Sequence, residues 1–220
     1  MADTKPHNAY LERPATRSLV PDVRGKHVLD AGCGPGINSQ WLVSKGARVI
    51  AVDASPKMIE HAKMRLGGSA DIRLHDLREP FTFLSDASVD LVLAALVLDY
   101  IEDWTPVLKE FRRILTATGA LVFSVGHPFT DYLLKEGADY FEIEYFEMTW
   151  TGFSVQVLMP SYRRPLGYIT ETLSEAGFTV DSLVEARPTI DYQKADPEGY
   201  LKVSKRPSFL CIRARPKQTG

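Results

Sequence analysis

Apolar residues fall along this chain in short runs separated by amphipathic stretches, and the alternation predicts strands and helices in turn. His27-Val28-Leu29-Asp30 is a strand-length run that ends at glycines. A helical segment follows from about Asn38 to Ser44, then a second strand at Arg48–Asp53. Ser55 is suited to cap the next helix, with Pro56 in its first position, and that helix runs through Met64. Asp71–Leu74 reads as a third strand. Val89–Leu93 is nearly all apolar, as a parallel strand buried on both faces must be. Trp104, Val107, Leu108, Phe111, Ile114 and Leu115 recur at helical spacing, with Asp103 as the cap and Gly119 as the stop. Ala120–Val125 is the fifth strand. Leu166, Ile169, Leu173 and Ala176 form a later helical stripe closed by Gly177, and Phe178–Val184 and Phe209–Ala214 are the last two strands. Strands alternating with helices imply βαβ units with right-handed crossovers. The expected fold is α/β: a doubly wound, mostly parallel seven-stranded sheet with helices on both faces.

Residues 128–163 break the pattern. They are rich in aromatics: Phe129, Tyr132, Tyr140, Phe141, Tyr145, Phe146, Trp150, Phe153 and Tyr162. Phe141–Trp150 and Ser154–Leu158 are strand-like, and Thr151-Gly152 offers a turn between them. This segment is expected to be an inserted antiparallel cap beside the ligand cleft. With no repeat and no low-complexity linker, residues 1–220 read as one domain.

Composition narrows the function. A net charge of −2 with interspersed signs gives no basic stripe, so nucleic acid is not an expected partner. The two cysteines, Cys33 and Cys211, supply neither a disulfide framework nor a metal-ligand cluster. The first twenty residues lack an apolar core of secretory length, and no run reaches the ~18 apolar residues of a membrane span. A cytoplasmic protein with no metal and no membrane partner is expected.

The chemistry concentrates at Val28-Leu29-Asp30-Ala31-Gly32-Cys33-Gly34-Pro35-Gly36, which joins the first strand to the first helix. Glycines there allow a tight turn and close approach of a ligand to backbone N–H groups. Asp53 ends the second strand, where a carboxylate accepts ribose hydroxyls. A dinucleotide fingerprint needs glycine where Ile37 stands, which disfavours a nicotinamide-dependent oxidoreductase. The loop, together with His75-Asp76-Leu77, the Ala94–Asp103 segment and Leu115–Val125 through Gly119, resembles the class I S-adenosylmethionine-dependent methyltransferases. The resemblance covers roughly residues 27–127 and is nearest to the "type 11" subset, which includes quinone-biosynthesis and other small-molecule enzymes.

That resemblance implies S-adenosylmethionine as cofactor. It implies that Asp30, Gly32, Gly34 and Gly36 surround the methionine portion with Ala95 beside it, that Cys33 within the same loop is cofactor-binding, that Asp53 binds the ribose with Ala54 and Met58 beside the adenosine, and that Asp76 and Leu77 meet the adenine. Tyr10 would close over the cofactor, as N-terminal helices do in similar enzymes. Many relatives carry histidine where Asp99 or Tyr100 stands here, so no catalytic histidine transfers to that position. The expected reaction is methyl transfer to a small-molecule O, N or C nucleophile. A cofactor-binding fold that serves as a regulatory subunit is the alternative from another class.

A general base is needed only if the nucleophile must lose a proton. Asp99 and Tyr100 follow the fourth strand and His127 follows the fifth, so these three are the catalytic candidates. His127-Pro128 has a second reading as a plain turn, and Asp99 as a helix cap. Arg163 and Arg164 are candidates for holding a substrate carboxylate, with a surface role the expectation. The aromatic run has two open readings: a substrate pocket, or cap core and a contact between copies in a homodimer.

Overall fold

The computed structural model describes residues 4–133, 137, 139–150 and 157–218. A π-helical turn, Asn8–Glu12, runs into α1, Arg13–Ser18. The first half of the sheet follows as β1 (His27–Ala31), α2 (Ile37–Ser44), β2 (Arg48–Asp53), α3 (Pro56–Leu66) and β3 (Asp71–Leu74). The second half begins with β4 (Val89–Ala95), a 3-10 turn (Leu98–Tyr100), α4 (Thr105–Ile114) and β5 (Leu115–Gly126). Then come α5 (Pro128–Leu133), β6 (Glu144–Trp150), β7 (Val157–Arg163), α6 (Leu166–Glu175), β8 (Phe178–Glu185), α7 (Ile190–Ala195), α8 (Pro197–Val203) and β9 (Phe209–Pro216).

Seven strands form one sheet in the order β3-β2-β1-β4-β5-β9-β8, and β6 and β7 form a separate two-stranded sheet. β9 runs antiparallel to both β5 and β8, while the other pairs in the large sheet are parallel. The order reverses between β1 and β4. Chain leaving those neighbours diverges to opposite sides, so a crevice opens at their carboxyl ends. The expected α/β architecture is therefore the observed one.

Strand alternation splits the core into two layers. Leu29, Val92, Leu121 and Phe123 pack against α4 and α6. Val28, Leu91, Leu93, Val122 and Cys211 pack against the N-terminal helix, α2, α3, α7 and α8. α4 commits Val107, Leu108, Phe111 and Ile114 to the first layer. Each such burial stabilises by about 1.5–3 kcal/mol, which docks the helix more firmly than propensity alone could. α3 keeps its expected cap: the Ser55 hydroxyl accepts from Met58 N, and Gly67 ends the helix in the left-handed region.

Three expectations shift. Gly119 does not stop α4; it lies inside β5, which already begins at Leu115. A Cβ there would come 2.9 Å from Leu115 Cδ2 and 3.0 Å from the Asp90 carbonyl, so this glycine permits close strand approach at the irregularity between Val89 and Leu91. The second cap strand is Val157–Arg163, several residues beyond Ser154–Leu158. It includes Pro160, opposite Glu147, which a two-stranded ribbon tolerates because one side of each strand needs no partner. The Thr151-Gly152 turn, Phe153 and the side chain of Trp150 lie outside the described residues. Helices α7 and α8 were not anticipated. Asp196 caps α8 by accepting from Gly199 N, with Pro197 next, so a start signal was present in the sequence.

β7 packs on the 3-10 turn that follows β4 and on α5. This sets the hairpin at the same end of the sheet as the glycine loop. Tyr145 on it and Phe141, in the turn just before β6, remain exposed, whereas Tyr162 is half-buried.

Candidate active site

The loop after β1 is stitched to β2 by its own backbone. The N–H groups of Gly32 and Cys33 both donate to the Val52 carbonyl at 2.9 Å. Gly32 has φ +74°, and a Cβ on it would fall 2.3 Å from Val97 Cγ2, so no side chain fits. Gly34, with φ +54°, faces open space, and Gly36 enters α2 in the left-handed region. Asp53 ties this turn to the next strand: Oδ2 accepts from Gly34 N and Oδ1 from Ser55 N, each at 2.9 Å. Each carboxylate oxygen keeps a second lone pair for a ligand. Asp30 is buried beneath the loop and accepts from the Ser39 hydroxyl at 2.5 Å. Burial pushes its carboxyl up to about 6, against the pull of Ser39. Cys33 is buried and its thiol is held well above the usual range by burial and by the neighbouring Asp30 and Asp53, which removes it as a nucleophile.

The remaining expected cofactor residues line the same edge. Ala95 ends β4 and is half-buried; Leu77 is buried; Met58 is half-buried at the start of α3; Ala54 is exposed. Asp76 carries a partner the sequence did not announce: Arg78 grips it with bidentate hydrogen bonds, which hold its carboxyl below the usual range. Tyr10 packs against the second core layer, and its carbonyl accepts from Thr189 N. Arg17, on α1, reaches the loop from the other side. It donates to Asn38 Oδ1 and the Ile37 carbonyl and lies 4.7 Å from the centre of the Trp41 ring. Burial first, and Arg13 second, lower its guanidinium to about 10, still charged at neutral pH. Its hydrogen-bond partners are neutral, which leaves the charge available to an anion at the glycine loop.

The catalytic candidates separate. Asp99 is half-buried and accepts the Gly126 N–H at 2.9 Å, which pins it between the ends of β4 and β5. Burial raises its carboxyl to about 6, while the Gly126 N–H and nearby Arg164 pull the other way. Tyr100 is half-buried, and burial, Asp99 and Asp53 hold its phenol above the ordinary range. Tyr100 opens on a cavity of about 290 Å³ whose wall also includes Ile101, Pro106, Val107, Arg78 and Tyr162 from the hairpin. His127 is otherwise engaged. Its Nδ1 accepts from Phe129 N at 3.3 Å and its Nε2 faces Glu185 Oε1 at 3.1 Å. With both nitrogens committed, and burial lowering its pKa, the ring has no free lone pair for a substrate proton. The turn reading of His127-Pro128 describes it better.

The surface reading of Arg163 and Arg164 is overturned. They are only 2% and 3% exposed. Arg163 pairs with Glu144 across the hairpin at 2.6 Å. Arg164 donates to the carbonyls of Ile101 and Glu102 and lies 4.4 Å from the centre of the Trp104 ring. It pins the hairpin to the segment after Asp99 and Tyr100. The sequence could not show this, because a basic pair before a helix looks solvent-facing until the hairpin folds over it.

A parallel sheet with a glycine turn at its switch point and an acid ending β2 defines a nucleoside-cofactor enzyme. The family described as "Methyltransferase domain" matches residues 29–123. An uncharacterized protein of Haemophilus influenzae is 28% identical over 94% of this chain and 88% of its own length. A malonyl-(acyl-carrier protein) O-methyltransferase of Hamiltonella defensa is 36% identical, over 48% of this chain but only 40% of its own. A crystal structure of an S-adenosylmethionine dependent methyltransferase from Mesorhizobium loti superposes with TM-score 0.74 at 25% identity, covering 93% of this chain and 97% of that one. These likenesses support a class I S-adenosylmethionine-dependent methyltransferase: the chain is an enzyme, and S-adenosylmethionine is its cofactor. The open cradle at Gly34, the spare lone pairs of Asp53 and the half-buried cation Arg17 fit that cofactor's backbone-contacted chain, diol and carboxylate. No helix among the described residues is long and apolar enough to cross a membrane.

Proposed function

We propose that this enzyme methylates a small-molecule nucleophile that enters between the 3-10 turn and the aromatic hairpin, with Asp99 as the base. The observation that carries this reading is Asp99 itself. It is anchored by Gly126, half-buried, and next in sequence to the tyrosine that lines a cavity of about 290 Å³. That volume is at the lower end for small-ligand pockets. The absence of a basic stripe on a chain of net charge −2 also favours a small molecule over nucleic acid.

When bound, S-adenosylmethionine supplies a methyl group on a positively charged sulfur, open to in-line displacement. The chain's residues then divide the work. Gly32, Gly34, Gly36, Asp30 and Ala95 would hold the methionine portion, and Arg17 would pair with its carboxylate. Asp53 would hold the ribose. Leu77 and Met58 would enclose the adenine, with Asp76 the acid on the side of its amine. Asp99 accepts the proton of an incoming hydroxyl, amine or activated carbon; its raised pKa keeps it a competent base near neutrality. Tyr100 and Tyr162 shape the entry, and the hairpin excludes water, which favours alignment of donor and nucleophile. The Hamiltonella relative's name as an O-methyltransferase supports oxygen as the first nucleophile to try.

The test uses labelled methyl donor with a metabolite extract split by size. Label in the low-mass fraction, lost with Asp99→Asn, is the expected result. Label confined to protein or nucleic acid would overturn the small-molecule reading.

A further inference from the structure

The N-terminal helix places a buried acid where the established contacts do not require one. Glu12, 3% exposed, takes hydrogen bonds on Oε1 from two hydroxyls: Thr16 at 2.6 Å and Ser124 at 2.6 Å. Among the described residues it has no cation within ion-pair distance, and Oε2 accepts no hydrogen bond. Burial raises its carboxyl, against the pull of the two hydroxyls. Oε2 is not among the buried polar atoms without a partner, so it keeps accessible surface through which a ligand can reach its lone pairs.

Its location says which. Ser124 faces Ala95 across the β4–β5 pair, and its hydroxyl also accepts from Leu96 N at 3.1 Å. One strand further, Asp30 on β1 faces Leu93. Strand alternation puts Asp30, Ala95 and Ser124 on one face of the sheet, the face that the N-terminal helix covers. Five residues on, Arg17 presents a guanidinium with only neutral partners at the glycine loop. One helical segment thus carries an acid and a base that attract each other without forming an ion pair. An α-amino acid zwitterion complements both.

We propose that Glu12 is a binding residue for the α-ammonium group of the cofactor's methionine portion, held ready by Thr16 and Ser124. The inference rests on the cofactor assignment and extends it to a residue outside the glycine-loop motif. An ammonium beside Oε2 satisfies the open oxygen and draws Glu12 into its charged form.

The experiment is a cycle of two proteins and two ligands by calorimetry. The proteins are wild type and Glu12→Gln, whose amide oxygen still accepts from both hydroxyls. The ligands are S-adenosylhomocysteine and its analogue lacking the α-amine. The expected result is that Glu12→Gln weakens S-adenosylhomocysteine by about 10- to 100-fold and leaves the deaminated analogue unchanged. Equal losses for both ligands, or no loss for either, would overturn the proposal. If wild type binds neither ligand, the cofactor assignment itself fails, a distinct outcome. Should Glu12→Gln not fold, Ser124→Ala removes one of the two aiming hydroxyls and is expected to give a smaller loss with the same ligand selectivity; a loss without that selectivity overturns the proposal equally.

Discussion

At the ends of β1 and β2 the site is made by the chain's own backbone. At the ends of β4 and β5 it is made by side chains brought from far away. On the first side, Gly32 and Cys33 donate to Val52, and Asp53 takes the Gly34 N–H nineteen residues back. On the second, Asp99 is tied to Gly126, Arg164 reaches the Ile101 carbonyl across 63 residues, and Tyr162 arrives on a hairpin. A backbone site needs glycines and a short spacing, and it tolerates almost no change at the turn itself. A side-chain site can be rebuilt by altering the hairpin. Holding one cofactor while varying the acceptor calls for this division.

The largest effect expected from breaking the second side is at Asp99. Asp99→Asn keeps an oxygen for the Gly126 N–H but removes the proton acceptor. Turnover should fall by about 10²–10⁴-fold, with S-adenosylhomocysteine affinity unchanged by calorimetry. The wild-type rate should also decline below about pH 6, as the carboxylate takes up its proton. Full turnover in the variant would leave alignment alone as the source of rate.

On the first side the corresponding break is Gly32→Ala. The added carbon meets Val97 at 2.3 Å, and φ +74° is unfavourable for alanine. Overpacking of this kind should cost about 1–3 kcal/mol in urea unfolding and remove measurable cofactor binding. Unchanged binding would mean the loop is only a turn.

Asp30 sharpens the comparison through pH. Its folded-state pKa, about 6, lies above the unfolded value near 4. The folded chain therefore holds a proton that the unfolded chain gives up between those values, and stability is lost as pH rises from about 4 to about 6. Asp30→Asn keeps an acceptor for Ser39 and removes this titration. At pH 7.5 the variant should be more stable than wild type by about 1–3 kcal/mol, with the gap closing below pH 4. A gap independent of pH would show that Asp30 is not the titrating group.

This contrast also explains how much was legible in the sequence. Loop, strand ends and fold could be read because their signals are local: glycines in a row, an acid closing a strand, apolar runs of one strand's length. Glu12 could not, because its partner Ser124 is 112 residues away and nothing marks either residue. Arg17 looked like any helix-surface arginine until Asn38 and Trp41 folded against it. Arg78 is local, two residues from Asp76, yet nothing in the sequence marks it as the partner of that acid. The hairpin register was obscured by Pro160, which breaks a strand pattern in sequence but not on a two-stranded ribbon.

The smallest expected effect is at His127, and it separates the two strand-end candidates. Position alone favoured His127 as much as Asp99, since each follows a parallel strand at the crevice. Geometry distinguishes them: Asp99 accepts one backbone N–H and keeps its other oxygen uncommitted, whereas the His127 ring spends Nδ1 on Phe129 and Nε2 on Glu185. The Glu185 side chain is 59% exposed, so the contact between them is worth at most about 1 kcal/mol. His127→Gln should therefore lower stability by less than about 1 kcal/mol. The pH profile of turnover should be unchanged, because the proposed base is Asp99. Rates measured from pH 5 to 8 for both single variants make the comparison direct. If His127→Gln shifts the lower limb of the profile and Asp99→Asn does not, the base lies at the end of β5, and the roles assigned to the two strand ends must be exchanged.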